Sequence, residues 1–191
     1  MSDIYTAKEY THLLGLPGFS DTLLTNHFTL YQGYVKNTNA LVNLLEVKEL
    51  GTLEYAELTR RFGWEWNGMR LHELYFENLD KEAGVLGDGT LKEKIELVYG
   101  SFENWKKKFA SIGAMRGIGW VILYQDVVSG SLFSTWVNEH DMGHLAGCMP
   151  LLVMDVFEHA YMTDYGIKKA DYIETFFRSI DWSVVEKRFA Q

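Results

Sequence analysis

The stretch Pro150-Leu151-Leu152-Val153-Met154-Asp155-Val156-Phe157-Glu158-His159-Ala160-Tyr161 constrains this chain more than any other. It begins as an apolar run, Pro150 to Met154, with the length of a buried strand. It then delivers a carboxylate and an imidazole, Asp155 and His159, four positions apart. A hard oxygen ligand and a borderline nitrogen ligand on one short segment suit a first-row transition metal. The rest of the fold has to bring further ligands to this place or leave the pair without a purpose.

The chain offers six histidines, His12, His27, His72, His140, His144 and His159. His12 lies near an N-terminal loop and reads as a surface residue. His27 shares a helical face with Leu23 and Tyr31, and His72 lies on the inward face of another helix. Each of these two, taken alone, is most simply a hydrogen-bonded core histidine. Together with Asp155 and His159 they make three imidazoles and one carboxylate drawn from three separate elements. Such a set can hold a divalent or trivalent ion and leave a position open for solvent or substrate. Spacing alone does not show that the four converge.

The elements follow from periodicity and punctuation. Ser20 or Asp21 is the expected N-cap of a first long helix, with apolar positions at helical spacing as far as roughly Leu45. A second helical stretch is expected from Thr52 to about Arg61, a break at Phe62-Gly63, and a third from Trp64 to Leu79. On that third stretch Met69, His72, Tyr75, Phe76 and Leu79 share a face. The glycine-rich segment from Gly84 to Gly89 is the best boundary in the chain. Leu91–Tyr99 and Phe102–Ile112 read as two amphipathic helices. Gly119–Tyr124 and Ser131–Val137, around a turn at Val127–Gly130, read as a β-hairpin, and Pro150–Met154 as a third strand. Beyond Asp155 a return to helix is expected, with a terminal helix or helix pair from Tyr172 to Phe189. The class is α+β, helical first and then a small antiparallel sheet with helices.

Charge narrows the partners. A net charge of -8 and a pI near 5.2 exclude nucleic acid and anionic membranes as natural ligands. An anionic substrate would need local focusing by lysines or arginines. Lys106-Lys107-Lys108 reads as a solvated helix face. The single cysteine, Cys148, excludes an internal disulfide and a thiolate-rich zinc site, and its apolar context suggests a small core residue. Met1 to Thr6 carries no basic run followed by an apolar one, and no segment has the length of a membrane span. A cytoplasmic protein is the expectation.

The segment from Asp155 to Tyr161 resembles the metal-binding signature of the iron/manganese superoxide dismutases. Ser20 through His27 to Tyr34-Val35-Lys36-Asn37-Thr38-Asn39 is similar to the family's first ligand helix, and Trp66-Asn67-Gly68-Met69-Arg70-Leu71-His72 to its second. Gly100 to Phe109 and Gly117-Ile118-Gly119-Trp120 resemble segments between the domains and entering the sheet. The resemblance covers nearly the whole chain. It implies an N-terminal helical hairpin domain, residues 1–86, and a C-terminal α/β domain with a three-stranded antiparallel sheet, residues 87–191, with the metal between them. It implies one iron or manganese ion per subunit, held by His27, His72, Asp155 and His159, with solvent as a fifth ligand. The implied activity is disproportionation of superoxide to oxygen and hydrogen peroxide. Tyr34 would be the active-site tyrosine, Trp120 part of an apolar wall, and Glu158 a bridge to the His159 of a second subunit. A homodimer, possibly pairing into a tetramer, follows from the same resemblance. The alternatives are a relative with other oxygen or peroxide chemistry, or one with a non-catalytic interaction role.

Three departures stand out. The family's spacing from first histidine ligand to tyrosine is eight, whereas His27 to Tyr34 is seven. Seven steps on a regular helix leave side chains about 20° apart, eight about 80°. A residue that formed a π-bulge is therefore expected to be missing here, with His27 the ligand and not Asn26. A histidine usual on this helix is replaced by Leu30 or Tyr31, and its cross-dimer tyrosine partner by Met162, so one gateway hydrogen bond should be absent. Gly68 and Met69 offer no group to bond the metal's solvent. His140 is expected to take that role, with His144 as the fallback. Phe157 stands where a tryptophan is frequent.

Overall fold

The computed structural model describes residues 4–190. Residues 1–3 and 191, which the N-terminal reading and the two domain ranges include, lie outside it. After a 3-10 turn at Thr11–Leu13, two long antiparallel helices, α1 (Asp21–Val47) and α2 (Leu53–Glu77), form a hairpin. Then come α3 (Thr90–Tyr99), α4 (Phe102–Gly113), β1 (Gly119–Asp126), β2 (Leu132–Asn138) and β3 (Cys148–Asp155). A 3-10 turn at Glu158–Ala160 leads to the short α5 (Met162–Tyr165) and the pair α6 (Lys169–Arg178) and α7 (Trp182–Phe189). The architecture is the expected α+β one.

The helix starts are capped as the residue types dictate. Ser20 accepts the Leu23 amide at 3.0 Å, Thr52 that of Tyr55 at 3.2 Å, and Ser101 that of Asn104 at 3.1 Å, each satisfying an otherwise orphaned donor. Gly100, left-handed at φ 83°, closes α3. The expected break at Phe62-Gly63 is absent, and α2 is one continuous helix. A lone glycine costs a helix only about 1 kcal/mol, which burial of Met69, Leu71, Tyr75 and Phe76 on the same helix outweighs. The α1 helix is likewise continuous, with no bulge between His27 and Tyr34.

The antiparallel sheet has the order β2-β1-β3. Its third strand begins at Cys148, two residues earlier than expected, and Cys148 is half-buried, not part of the core. Pro150 is tolerated inside β3 because this is an edge strand, and it sits where the register to β1 shifts, beside Tyr124. The register sets Trp120 opposite Asp155 on one side and Val137 on the other. Gly119 makes that approach possible: at φ 148°, a Cβ there would lie 2.1 Å from the Val137 carbonyl oxygen. Past Asp155 the chain returns to helix as expected, after Val156, held by its amide on the Gly119 carbonyl at 2.9 Å, and the 3-10 turn. One apolar core joins both faces of the sheet to the inner face of the hairpin.

Candidate metal centre

Four elements aim their side chains at one point. His27 comes from the first third of α1, His72 from the last third of α2, Asp155 from the end of β3, and His159 from the turn beyond it. Around Asp155 Oδ2 stand His159 Nε2 at 3.1 Å, His27 Nε2 at 3.2 Å and His72 Nε2 at 3.6 Å. One ligand atom from each of the four lies within 4.8 Å of the others, and among the described residues no other such cluster occurs. His27, His72 and Asp155 are buried, while the His159 side chain is 29% exposed. Asn26, the rejected alternative on α1, points to solvent.

The surroundings fix how these groups face. The Phe157 amide donates to Asp155 Oδ1 at 2.8 Å, leaving Oδ2 for the histidines. Tyr172 donates to the Asp155 carbonyl at 2.6 Å and so anchors the strand end. His72 Nδ1 donates to the Gly68 carbonyl at 2.5 Å. That bond assigns the proton to Nδ1, so a neutral His72 presents the bare lone pair of Nε2 toward the carboxylate. Buried, His72 Nε2 and His27 Nδ1 have no protein partner. A lone pair aimed at a carboxylate is repulsive until a cation sits between them, and the donor set of imidazoles and carboxylate suits a first-row ion. Metal–ligand bonds of about 2.0–2.2 Å set ligand atoms about 3–4 Å apart, the scale seen here. The four residues therefore fit one iron or manganese ion.

Titration follows the same logic. Burial pulls His27 below its ordinary value, against the Asp155 hydrogen bond, and pulls His72 well below it, helped by repulsion from His27. Burial also drives His140 down to about 4, against the attraction of Asp155. Burial alone would raise Asp155, but His159 and His27 outweigh it and hold the carboxyl well below the usual range. In the metal-free protein, then, three histidines stay neutral where the unfolded chain would protonate them, below about pH 6.5. The unfolded state binds more protons there, so stability falls as pH drops from 6.5 toward the folded values. Each histidine contributes up to about 1.4 kcal/mol per pH unit. The Asp155 carboxylate acts in the same direction, but its contribution is fully present above about 3.9 and lies outside this window. Urea unfolding of the metal-free protein should be flat between pH 7 and 8 and weaken steeply between 6.5 and 5. A profile flat down to pH 5 would show that these imidazoles are not held neutral.

Tyr34 and His140 lie beside the ligand cluster, next to His72. Tyr34 stacks on the His72 ring at 5.2 Å, and its hydroxyl lies 2.7 Å from His140 Nε2. The Trp120 indole donates to His140 Nδ1 at 3.1 Å. An indole N–H only donates, so Nδ1 must accept, Nε2 carries the proton, and His140 donates to the Tyr34 oxygen. His144 faces elsewhere: its Nε2 donates to the His140 carbonyl at 2.9 Å and its Nδ1 accepts from Tyr124 at 2.8 Å. Phe157 stacks on His140 at 4.7 Å and on His159 at 5.1 Å. Trp64 meets the His140 ring edge-on at 4.8 Å, a neighbour that no spacing in the sequence signals. Tyr31 turns inward, accepting the Lys8 amide at 3.0 Å and donating to Glu73 at 3.0 Å, while Leu30 and Met162 remain exposed.

A largely buried set of three imidazoles and one carboxylate, with ring walls and one hydroxyl beside it, has the make-up of a mononuclear first-row metal centre. Residues 87–188 match the family model described as iron/manganese superoxide dismutases, C-terminal domain. A manganese superoxide dismutase of Haloferax volcanii is 36% identical over 178 residues, covering 92% of this chain and 89% of that protein. An iron superoxide dismutase of Cupriavidus metallidurans is 37% identical over 182 residues, covering 92% and 90%. One from Saccharolobus solfataricus is 32% identical over 181 residues, covering 90% and 86%. The chain belongs to the iron/manganese superoxide dismutase family.

Proposed function

We propose that this protein is a superoxide dismutase using one iron or manganese ion, with His27, His72, Asp155 and His159 as ligands. The observation that carries the reading is the convergence of three Nε2 atoms on one carboxylate oxygen, with a buried His72 Nε2 that no protein group satisfies. When bound, the ion supplies a one-electron couple, so that one superoxide loses an electron and leaves as oxygen while a second gains it and, with two protons, leaves as hydrogen peroxide.

The chain's own task is to manage protons and exclude water. Burial, with repulsion from Asp155 and Glu65, pushes Tyr34 up to about 12, so its hydroxyl stays protonated at neutral pH. Because His140 donates to the Tyr34 oxygen, the Tyr34 proton is free to point away from His140 and be given up. The hydrogen bond from His140 Nε2 would steady the phenolate until water returns a proton to it. His140 is thereby a positioning group, and Tyr34 the residue nearest the substrate. Trp64, Trp120 and Phe157 keep the approach apolar. The anionic substrate meets an acidic protein, and Arg61, set over the Trp64 ring at 5.0 Å, is the cation beside this wall.

The subunit arrangement belongs to the same proposal. Glu158 is exposed next to a partly exposed ligand, His159, where a second copy could supply the missing cover. Leu30 and Met162, both exposed and apolar, would leave that contact without the usual gateway hydrogen bond. The division into domains 1–86 and 87–191 is supported by a family match that starts at residue 87, with ligands drawn from both parts. A lone, unpaired Cys148 fits a reducing cytoplasm. Among the described residues no helix is long and apolar enough to cross a membrane.

The test is superoxide consumption by protein loaded separately with iron and with manganese, with metal content measured alongside. Full occupancy without activity for either metal would overturn the reading. In the same assay Tyr34→Phe should keep its metal and lose about tenfold or more in turnover at high substrate, as expected for a lost proton donor. His159→Ala should lose the metal. Loss of metal from Tyr34→Phe would instead make Tyr34 part of the binding set.

A further inference from the structure

His72 and Asp155 sit on elements that meet side-on, α2 and β3, and the residue that ties them lies far away in sequence. Arg188, in the last turn of α7, is only 9% exposed. Its Nη1 donates to Asn78 Oδ1 at 2.6 Å and to the Leu151 carbonyl at 3.0 Å. Its Nη2 donates to Glu77 Oε2 at 3.0 Å and to the Leu74 carbonyl at 3.3 Å. Asn78 Nδ2 runs a parallel tie to the Val153 carbonyl at 2.6 Å. Leu74, Glu77 and Asn78 are the last turn and cap of the helix that carries His72, and Leu151 and Val153 belong to the strand that ends at Asp155.

The partners explain why a guanidinium is needed. The Asn78 amide turns to Tyr75 and Phe76, which leaves the Leu74 carbonyl without its helical donor. As an edge strand, β3 has outward carbonyls with no further strand to pair them. A planar fork with several donors serves both elements at once, and it lies at the negative end of the α2 dipole. Its buried charge is paired by Glu77. A lysine would offer one ammonium where four acceptors are spread over two elements.

We propose that Arg188 is a positioning residue for the metal centre, setting where His72 stands relative to Asp155 by joining the end of α2 to β3. It touches no ligand, so its effect travels through two rigid elements, two residues from Leu74 back to His72 and four from Leu151 on to Asp155. This rests on the metal-binding reading above.

The experiment compares metal release to a chelator, well below the melting temperature, in the unmutated protein, Arg188→Lys and Val185→Ala. Val185 is buried on the same helix and makes none of these bonds, so its truncation costs stability without cutting the tie. Arg188→Lys should release metal about 10-fold faster and shift the visible absorption of the bound ion, whereas Val185→Ala should match the unmutated protein in both. Should Arg188→Lys fail to fold, Asn78→Ser, which cuts the parallel tie, is expected to show the same acceleration. Equal release rates across the variants, or the same acceleration in Val185→Ala, overturn the inference while leaving the metal site intact. An unmutated protein that retains no metal overturns the metal reading and this inference with it.

Discussion

Asp155→Asn is expected to lower metal affinity by at least about 100-fold. Asparagine keeps the volume of aspartate, and its Oδ1 can still accept the Phe157 amide that Asp155 holds at 2.8 Å. The change falls on the other atom. Where Oδ2 now faces three Nε2 atoms at 3.1 to 3.6 Å, an amide nitrogen would stand, and it can donate to the bare Nε2 of His72. Metal-free, the variant gains a hydrogen bond to His72 and loses those that Oδ2 shares with His27 and His159. Metal-loaded, it loses both a negative charge and a ligand, and with them the stabilisation that binding adds to the folded state, which grows as RT ln(1 + [L]/Kd). Thermal unfolding should therefore show a gap between loaded and metal-free unmutated protein that closes in Asp155→Asn. A variant that keeps full occupancy after dialysis against a chelator would remove Asp155 from the ligand set.

How much of this site was legible in the sequence varied with the kind of signal. The strand ending in Asp155 was readable because an apolar run of that length and position has few other fates. The choice of His27 over Asn26 was a question of helical phase, and a continuous α1 places His27 inward and Asn26 outward. The Phe62-Gly63 break was misread because glycine punctuates only where packing does not decide, and α2 is packed along most of its length. Choosing between His140 and His144 was beyond spacing, since the answer depends on a tight loop. Glu139 adopts φ 51° and Asn138 bridges to Met142, and that reversal sends His140 inward to Tyr34 and Trp120 and His144 to Tyr124. Trp64 and Arg188 gave no local signal at all, because their roles exist only once distant elements are in contact.

Gly68 illustrates the same limit and yields the second large effect. In sequence it registers only as a residue with no group to offer the metal's solvent. In the structure a Cβ at Gly68 would lie 2.5, 2.7 and 3.0 Å from Cδ1, Cε1 and Cγ of Tyr34. The Tyr34 ring cannot simply swing away, because His72 stacks on it and His140 holds its hydroxyl. In an ordinary helix interior, Gly→Ala stabilises by about 0.8–1 kcal/mol. At this position the sign should reverse, with overpacking costing about 1–3 kcal/mol. Activity should fall at least as far as in Tyr34→Phe, since displacing the ring breaks the 2.7 Å contact that holds the Tyr34 hydroxyl in place. A double-mutant cycle separates this clash from a general helix effect. With Tyr34→Ala the obstruction is gone, so adding Gly68→Ala should become stabilising by the ordinary helix increment, giving a coupling of about 2–4 kcal/mol. If Gly68→Ala costs as much in the Tyr34→Ala background as in the unmutated protein, the ring is not what the glycine accommodates, and its constraint must come from the His72 Nδ1 bond to its carbonyl instead.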